Sequence, residues 1–135
     1  MKVIVAGCRM FANKDFLYEQ MDQIYNGLIT EVVCGMARGV DSLGKSWAIE
    51  NKISVKEFPA NWEKYGKRAG ILRNQQMADY ADRAVLFWDY ASKGTANMLH
   101  EMKTRNKPTI VIPVVIPMPV AAIKRIDTMK EFIDG

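Results

Sequence analysis

Basic side chains gather beside glycine turns in this sequence. Arg9 follows Gly7-Cys8, Arg38 lies inside Gly35-Met36-Ala37-Arg38-Gly39, and Lys64, Lys67, Arg68 and Arg73 surround Gly66 and Gly70. Lys93 sits in Ser92-Lys93-Gly94-Thr95. Glycine lets backbone N–H groups approach an anion, and arginine grips a phosphate with two parallel bonds. Taken singly, each base reads as an ordinary solvated loop residue. As a group they point to an anion site. Ser92-Lys93-Gly94-Thr95 opens a helix, so its N–H groups and the Ser92 and Thr95 hydroxyls can surround one phosphate, aided by the helix dipole. The same residues also read as a Ser N-cap and a turn glycine, which is compatible with that role. Gly7-Cys8-Arg9 offers a second set of N–H groups. Cys8 itself reads as a small buried residue, since no histidine lies nearby in sequence to activate it.

Other candidates carry two readings each. Asp41 is either a helix cap or a contact to a ribose diol, because a carboxylate there would repel phosphate. Asn74 points inward and needs a partner, either a neighbouring carbonyl or a ligand hydroxyl. Arg73 reaches a phosphate or closes a salt bridge with Asp41 or Asp89. Trp62, with Tyr65 in the same basic loop, either packs over the sheet edge, stacks on a base or closes a lid. If the chain is an enzyme, Arg73, Asp41 and Asp89 are its catalytic candidates. Gly39 to Ser46 satisfies the phosphate-loop pattern G-x-x-x-x-G-K-[ST], and Ala84 to Asp89 resembles the strand and aspartate that hold magnesium. Against that, Met36-Ala37-Arg38 separate the pattern from its strand, and one continuous helix fits Val40, Leu43, Gly44, Trp47 and Ala48. The fingerprint G-x-G-x-x-G is missing after the first strand, which disfavours a nicotinamide enzyme. Cys8 and Cys34 lack metal-ligand spacing and His100 is the only histidine, so neither a metal site nor a cofactor is expected.

The elements that must position these residues follow from hydrophobic period. Val3-Ile4-Val5-Ala6 is a strand buried on both faces. Leu17, Met21, Ile24 and Leu28 recur at helical spacing after a cap at Asn13. Glu31 to Cys34 and Ile53 to Phe58 are strands, the second stopped by Pro59. Ala60 to Gly70 is a long connection of the functional kind. A helix then carries Ile71, Asn74, Ala78 and Ala81, followed by a strand over Ala84 to Trp88, a helix over Thr95 to Arg105 and a strand over Thr109 to Ile112. Strand–helix alternation predicts a single-domain α/β, Rossmann-like three-layer sandwich with a mostly parallel sheet. Residues 1–113 form that domain. Residues 114–135 form a C-terminal extension, apolar from Val114 to Ile123 and with a short helix through Met129 to Ile133, which either packs back on the domain or lies in an oligomer interface. With 135 residues, 49% apolar and 25% charged, the chain has the balance of a globular domain. No apolar run approaches the ~18 residues of a membrane span, and the thiols read as reduced, so a cytoplasmic location is expected. A net charge of +4 and a pI near 9.1 favour an anionic partner without specifying nucleic acid.

A larger pattern is carried by Gly7-Cys8-Arg9, Gly35-x-Ala37-x-Gly39-Val40-Asp41, Trp47-Ala48, Phe58-Pro59-Ala60-Asn61-Trp62, Gly66-Lys67-x-Ala69-Gly70-x-x-Arg73-Asn74, Met77 and Phe87-Trp88-Asp89-x-x-Ser92-x-Gly94-Thr95. In that order they resemble the YspA, or cpYpsA-related, branch of the SLOG superfamily, which also holds the LOG phosphoribohydrolases and the DprA/SMF DNA-binding proteins. The match runs from about Val3 to Ile112. Asn61 stands where an acidic residue is usual, and the tail lies outside the pattern. The resemblance implies a Rossmann-like fold and a nucleotide or nucleotide-derived ligand, and it implies no known reaction. The nucleotide-binding positions so marked are Gly7, Cys8, Arg9, Gly35, Arg38, Gly39, Asp41, Trp62, Lys67, Arg73, Asn74, Ser92, Gly94 and Thr95. LOG enzymes resemble this chain but use an arginine and a glutamate in G-G-x-G-T-x-x-E. Here Met98 falls at the glutamate position, and Glu101 is turned away by most of a half-circle. A binding or sensor domain is therefore the leading expectation. A phosphoribohydrolase is the alternative, and single-stranded nucleic-acid binding and a triphosphatase are lesser ones. Self-association as a homodimer through the apolar tail is expected.

Overall fold

Val3, Ile4 and Val5 are completely enclosed, because β1 (Lys2–Gly7) runs through the middle of a parallel sheet covered on both faces. The computed structural model describes residues 1–116. In chain order the elements after β1 are α1 (Lys14–Gln23), β2 (Glu31–Cys34), α2 (Val40–Glu50), β3 (Ser54–Glu57) and α3 (Trp62–Tyr65). They continue as α4 (Ala69–Tyr80), β4 (Arg83–Trp88), α5 (Lys93–Thr104) and β5 (Thr109–Pro113). The five strands lie in the order β3-β2-β1-β4-β5, every neighbouring pair parallel.

Side chains alternate across the sheet and sort the core into two layers. Val3 and Val5, with Val32, Val85 and Phe87, meet Leu17 and Met21 of α1 and Val40, Trp47 and Ala48 of α2. On the other face Ile4, Val33, Ala84 and Leu86 meet Met77 and Ala78 of α4 and Met98 and Met102 of α5. The chain therefore has the three-layer, Rossmann-like α/β fold that the alternation predicts, with a sheet that is parallel throughout. Order along the sheet reverses between β1 and β4. Their following loops leave toward opposite faces and open a crevice at the carboxyl ends of the strands.

Three local expectations differ. α1 ends at Gln23 because Tyr25 and Asn26 adopt φ of 57° and 39°, which turns the chain out of the helical path and leaves Leu28 61% exposed. The segment 60–70 is not an open loop: Asn61 accepts from the Lys64 N–H at 3.1 Å and starts α3, and a 3₁₀ turn over Gly66–Arg68 leads into α4. In α4, Ala69, Asn74, Met77 and Ala78 are enclosed while Ile71 is exposed. The phosphate-loop pattern falls within the one continuous helix that Val40 to Ala48 fit. Gly44 and Lys45 sit inside unbroken α2, Lys45 is ion-paired with Glu57 on β3, and a Cβ on Gly44 would lie 2.6 Å from Val5 Cγ1. That glycine serves helix–sheet contact, and the triphosphatase reading has no loop to stand on. Val114 and Ile116 pack against the α1/α2 face. The remainder of the apolar stretch to Ile123 and the helix expected near Met129–Ile133 lie outside the described residues. No helix among the described residues is long and apolar enough to cross a membrane.

Candidate functional site

The crevice between the ends of β1 and β4 holds a cavity of about 410 Å³. β1 and its loop bring Gly7, Cys8 and Arg9 to it, α2 brings Asp41, and α4 brings Arg73 and Asn74. Asp89 comes from the end of β4, and Ser92, Gly94 and Thr95 come from the start of α5. Gly35, Arg38 and Trp62 line a neighbouring cavity of about 290 Å³, which Arg9 and Arg73 also border. Two sequence candidates join neither. Lys67 is exposed on the 3₁₀ turn. Gly39 shapes the wall instead: it has φ +74°, and a Cβ there would overlap the Cys8 and Arg9 carbonyls. Sequence reasoning missed Met10, Ala37, Met77, Met98 and Ile116 in the first cavity and Met36, Pro59 and Ala60 in the second. Ala37 had a signal in its place between Gly35 and Gly39. An unbranched apolar methionine carries no chemical signal of its own in a sequence, and Ile116 follows the last strand with no motif around it.

The α5 end of the cavity is built for hydrogen-bond donation. Asp89 Oδ1 accepts from the Ala91 and Ser92 N–H groups, both at 2.9 Å, and these bonds hold its carboxyl below the usual range. Ser92 is the N-cap: its hydroxyl accepts from the Thr95 N–H and lies 3.1 Å from the Thr95 hydroxyl, and its carbonyl takes the Ala96 N–H. Lys93 and Gly94, the first two helical residues, keep N–H groups without an acceptor among the described residues. Space is open where a Gly94 side chain would stand. The Cys8 N–H, by contrast, donates to the Phe87 carbonyl at 3.2 Å and is not available to a ligand. Its thiol is buried, accepts from the Asp89 N–H at 3.2 Å, and is pushed up to about 11 by burial, which favours the thiol over the thiolate.

The opposite wall is braced by α4. Asn74 Nδ2 donates to the Gly94 carbonyl at 3.2 Å and to Asn97 Oδ1 at 2.9 Å, while Asn74 Oδ1 accepts from Arg73 Nε at 3.1 Å. Its inward amide has thus found structural partners. Arg73 Nη1 donates to the Gly35 carbonyl. Burial lowers the pKa of this guanidinium, with Asp41 opposing and Arg9 reinforcing that fall. Asp41 is not the helix cap, a position Gly39 fills without a side-chain bond. The Asp41 carboxylate turns back to accept from the Gly35 N–H at 3.2 Å and faces the Ala37 and Gly7 N–H groups. Burial pushes its pKa up, against the pull of Arg73 and those donors.

A model of the YspA, cpYpsA-related SLOG family matches residues 1–65. The Gene 61 protein of Mycobacterium phage D29 is 30% identical over 119 residues, covering 81% of this chain and 94% of that protein. This chain belongs to the YspA, cpYpsA-related SLOG family. Among solved structures, DNA processing protein A (DprA) from Streptococcus pneumoniae superposes with a TM-score of 0.70 at 16% identity, over 85% of this chain. The chain spans about half, 51%, of that DprA chain, and the likeness is one of fold. Within this SLOG chain Met98, three residues after Thr95, lines the first cavity. Glu101 is buried on another side of α5 with Arg105 Nη1 3.5 Å away, so it supplies no carboxylate to the site.

Proposed function

We propose that this chain is a binding or sensor domain for a nucleotide or nucleotide-derived ligand, seated at the carboxyl ends of β1 and β4. One observation carries the reading: a single cavity combines the unpaired Gly94 N–H at the start of α5 with Arg9 and Arg73. A phosphate over Gly94 would take that N–H and the Thr95 hydroxyl, with Arg9 closing from the β1 side. Asp41 suits a ribose hydroxyl, since its carboxylate can accept a hydrogen bond from one and would repel a phosphate. Calorimetry with nucleoside monophosphates, diphosphates and cyclic nucleotides tests the reading. Binding by at least one, lost in Arg9→Ala at unchanged melting temperature, is the expected result. No heat from any of them overturns it.

A second reading is hydrolysis of an N-glycosidic bond, and the observation favouring it is Asp41, a buried acid lining the cavity whose pKa burial raises. Water would add to the ribose carbon as the base departs with a proton. Free base released on incubation with a nucleoside monophosphate, and lost in Asp41→Asn, would establish it. Nucleic acid is a lesser partner in this proposal, resting on the exposed Trp62, Tyr65, Lys64 and Lys67. We further propose that the protein acts in the cytoplasm as a homodimer, with residues 1–113 as the ligand domain and residues 114–135 packing on that domain or lying in the oligomer interface.

A further inference from the structure

The two cavities are not independent. Arg9, Ala37 and Arg73 line both, so two guanidiniums stand in the wall between them. Their charges repel each other across that wall. No carboxylate among the described residues lies within ion-pair distance of Arg9, Arg73 or Arg38. Asp41, the nearest compensating charge, already accepts from backbone N–H groups. Arg73 spends two of its donors on Gly35 and Asn74 and keeps the others. A single phosphate at Gly94 leaves most of this positive charge unanswered, whereas a diphosphate crossing the wall would answer it from both sides.

The second cavity differs in chemistry from the first. It carries no α5 donors, and two of its walls are exposed large apolar side chains: Met36 at 59% and Trp62 at 51%. Met36 sits in the left-handed region at φ 58°, in the turn that follows β2. The Trp62 ring rests on α4, its Cη2 3.5 Å from where a Gly70 Cβ would stand. Arg38 completes the rim with a planar cation. Aromatic and guanidinium surfaces around a shallow chamber suit the face of a planar ring better than a second anion.

Resting on the nucleotide-binding reading above, we infer that the second cavity is a ring subsite. The ligand class is then two ring-bearing halves joined through a diphosphate that lies across the Arg9–Arg73 wall. The first half would sit with its phosphate at Gly94, and the second ring would enter between Trp62 and Met36.

Calorimetry on the full chain decides this, with the four ribonucleoside 5′-monophosphates compared against the four matched dinucleoside 5′,5′-diphosphates. At least one diphosphate should bind tenfold or more tightly than its matched monophosphate. Trp62→Ala should weaken the diphosphate at least tenfold more than its matched monophosphate and so erase that gain, and Trp62→Phe should restore it. Should Trp62→Ala lower the melting temperature, Arg38→Gln, altered at an exposed side chain, is read by the same ratio. Equal affinity within every matched pair, or equal weakening of both members by the variant, overturns the inference and leaves the nucleotide-binding reading standing. No binding by either class overturns both.

Discussion

Cys8 joins the two strands that flank the crevice, its thiol accepting from Asp89 beyond β4 and lying 3.5 Å from the Phe87 carbonyl. Burial raises its pKa from about 9 in the open chain to about 11 in the fold. The unfolded chain therefore gives up this proton first. Its contribution is complete below pH 9 and disappears as pH rises through 11, an interval that corresponds to about 3 kcal/mol. Urea unfolding of wild type and Cys8→Ala between pH 8 and 11 should show a shallower decline in the variant. Arg73 allows a sharper test. Removing it as Arg73→Met leaves the Gly35 carbonyl without its donor and the buried Asp41 without its compensating charge, a loss of about 1–3 kcal/mol at neutral pH. Adding Asp41→Asn should recover part of that loss, because the uncompensated charge goes with it, and chemical denaturation of the two single variants and the double gives the coupling directly. The burial of Cys8 was legible from its type and from the lack of a nearby base. The role of Asp41 was not, because an acid at a helix start reads as a cap until the path of the preceding loop is known.

Glycines divide the elements into those that need no side chain for the fold and those that leave space for something else. In α2, Gly44→Ala would gain about 1 kcal/mol of helix propensity. It would also press on Val5, fully enclosed in the central strand, where overpacking costs about 1–3 kcal/mol. Overpacking wins, and the expected outcome is a lower melting temperature. Gly39→Ala is worse, since positive φ and two backbone carbonyls oppose it together; about 3 kcal/mol or more is expected, read by the same melt. Gly94→Ala should go the other way. Its site is open, so stability holds or rises by about 0.5–1 kcal/mol while nucleotide affinity falls at least tenfold. The elements themselves were largely legible, because buried strands and amphipathic helices impose their periods on β1, β2, α2 and β4. Legibility failed where backbone conformation, not hydrophobic period, decides: at Tyr25-Asn26, and at α3, a single helical turn whose start depends on the Asn61 side chain.

At the scale of the molecule, the crevice exists because the strand order reverses at β1, and alternation alone predicts a sheet without predicting that order. The spread of motif residues over four strand ends made much of the lining of the candidate site readable in advance. The walls added by Met10, Met36 and Ile116 come from chain segments that meet only in the folded state. Ile116 borders both the first cavity and an apolar groove of about 490 Å³ that also includes Phe11, Phe16 and Val114. For the proposed dimer, Ile116→Asp should halve the mass measured by light scattering at tens of micromolar; an unchanged dimer mass removes this segment from the interface. The consequence of the α4 dipeptide reaches further. Arg73 holds the β2–α2 loop and its neighbour Asn74 holds the first turn of α5, so one short crossbar spans the crevice. A molecule that tightens either side must load the other through the same two residues. Hydrogen–deuterium exchange should then show the amides around Gly35 and around Gly94 slowing together, by a common factor, whichever chamber is filled. Asn74→Ala should uncouple them, leaving protection only on the side where the molecule sits.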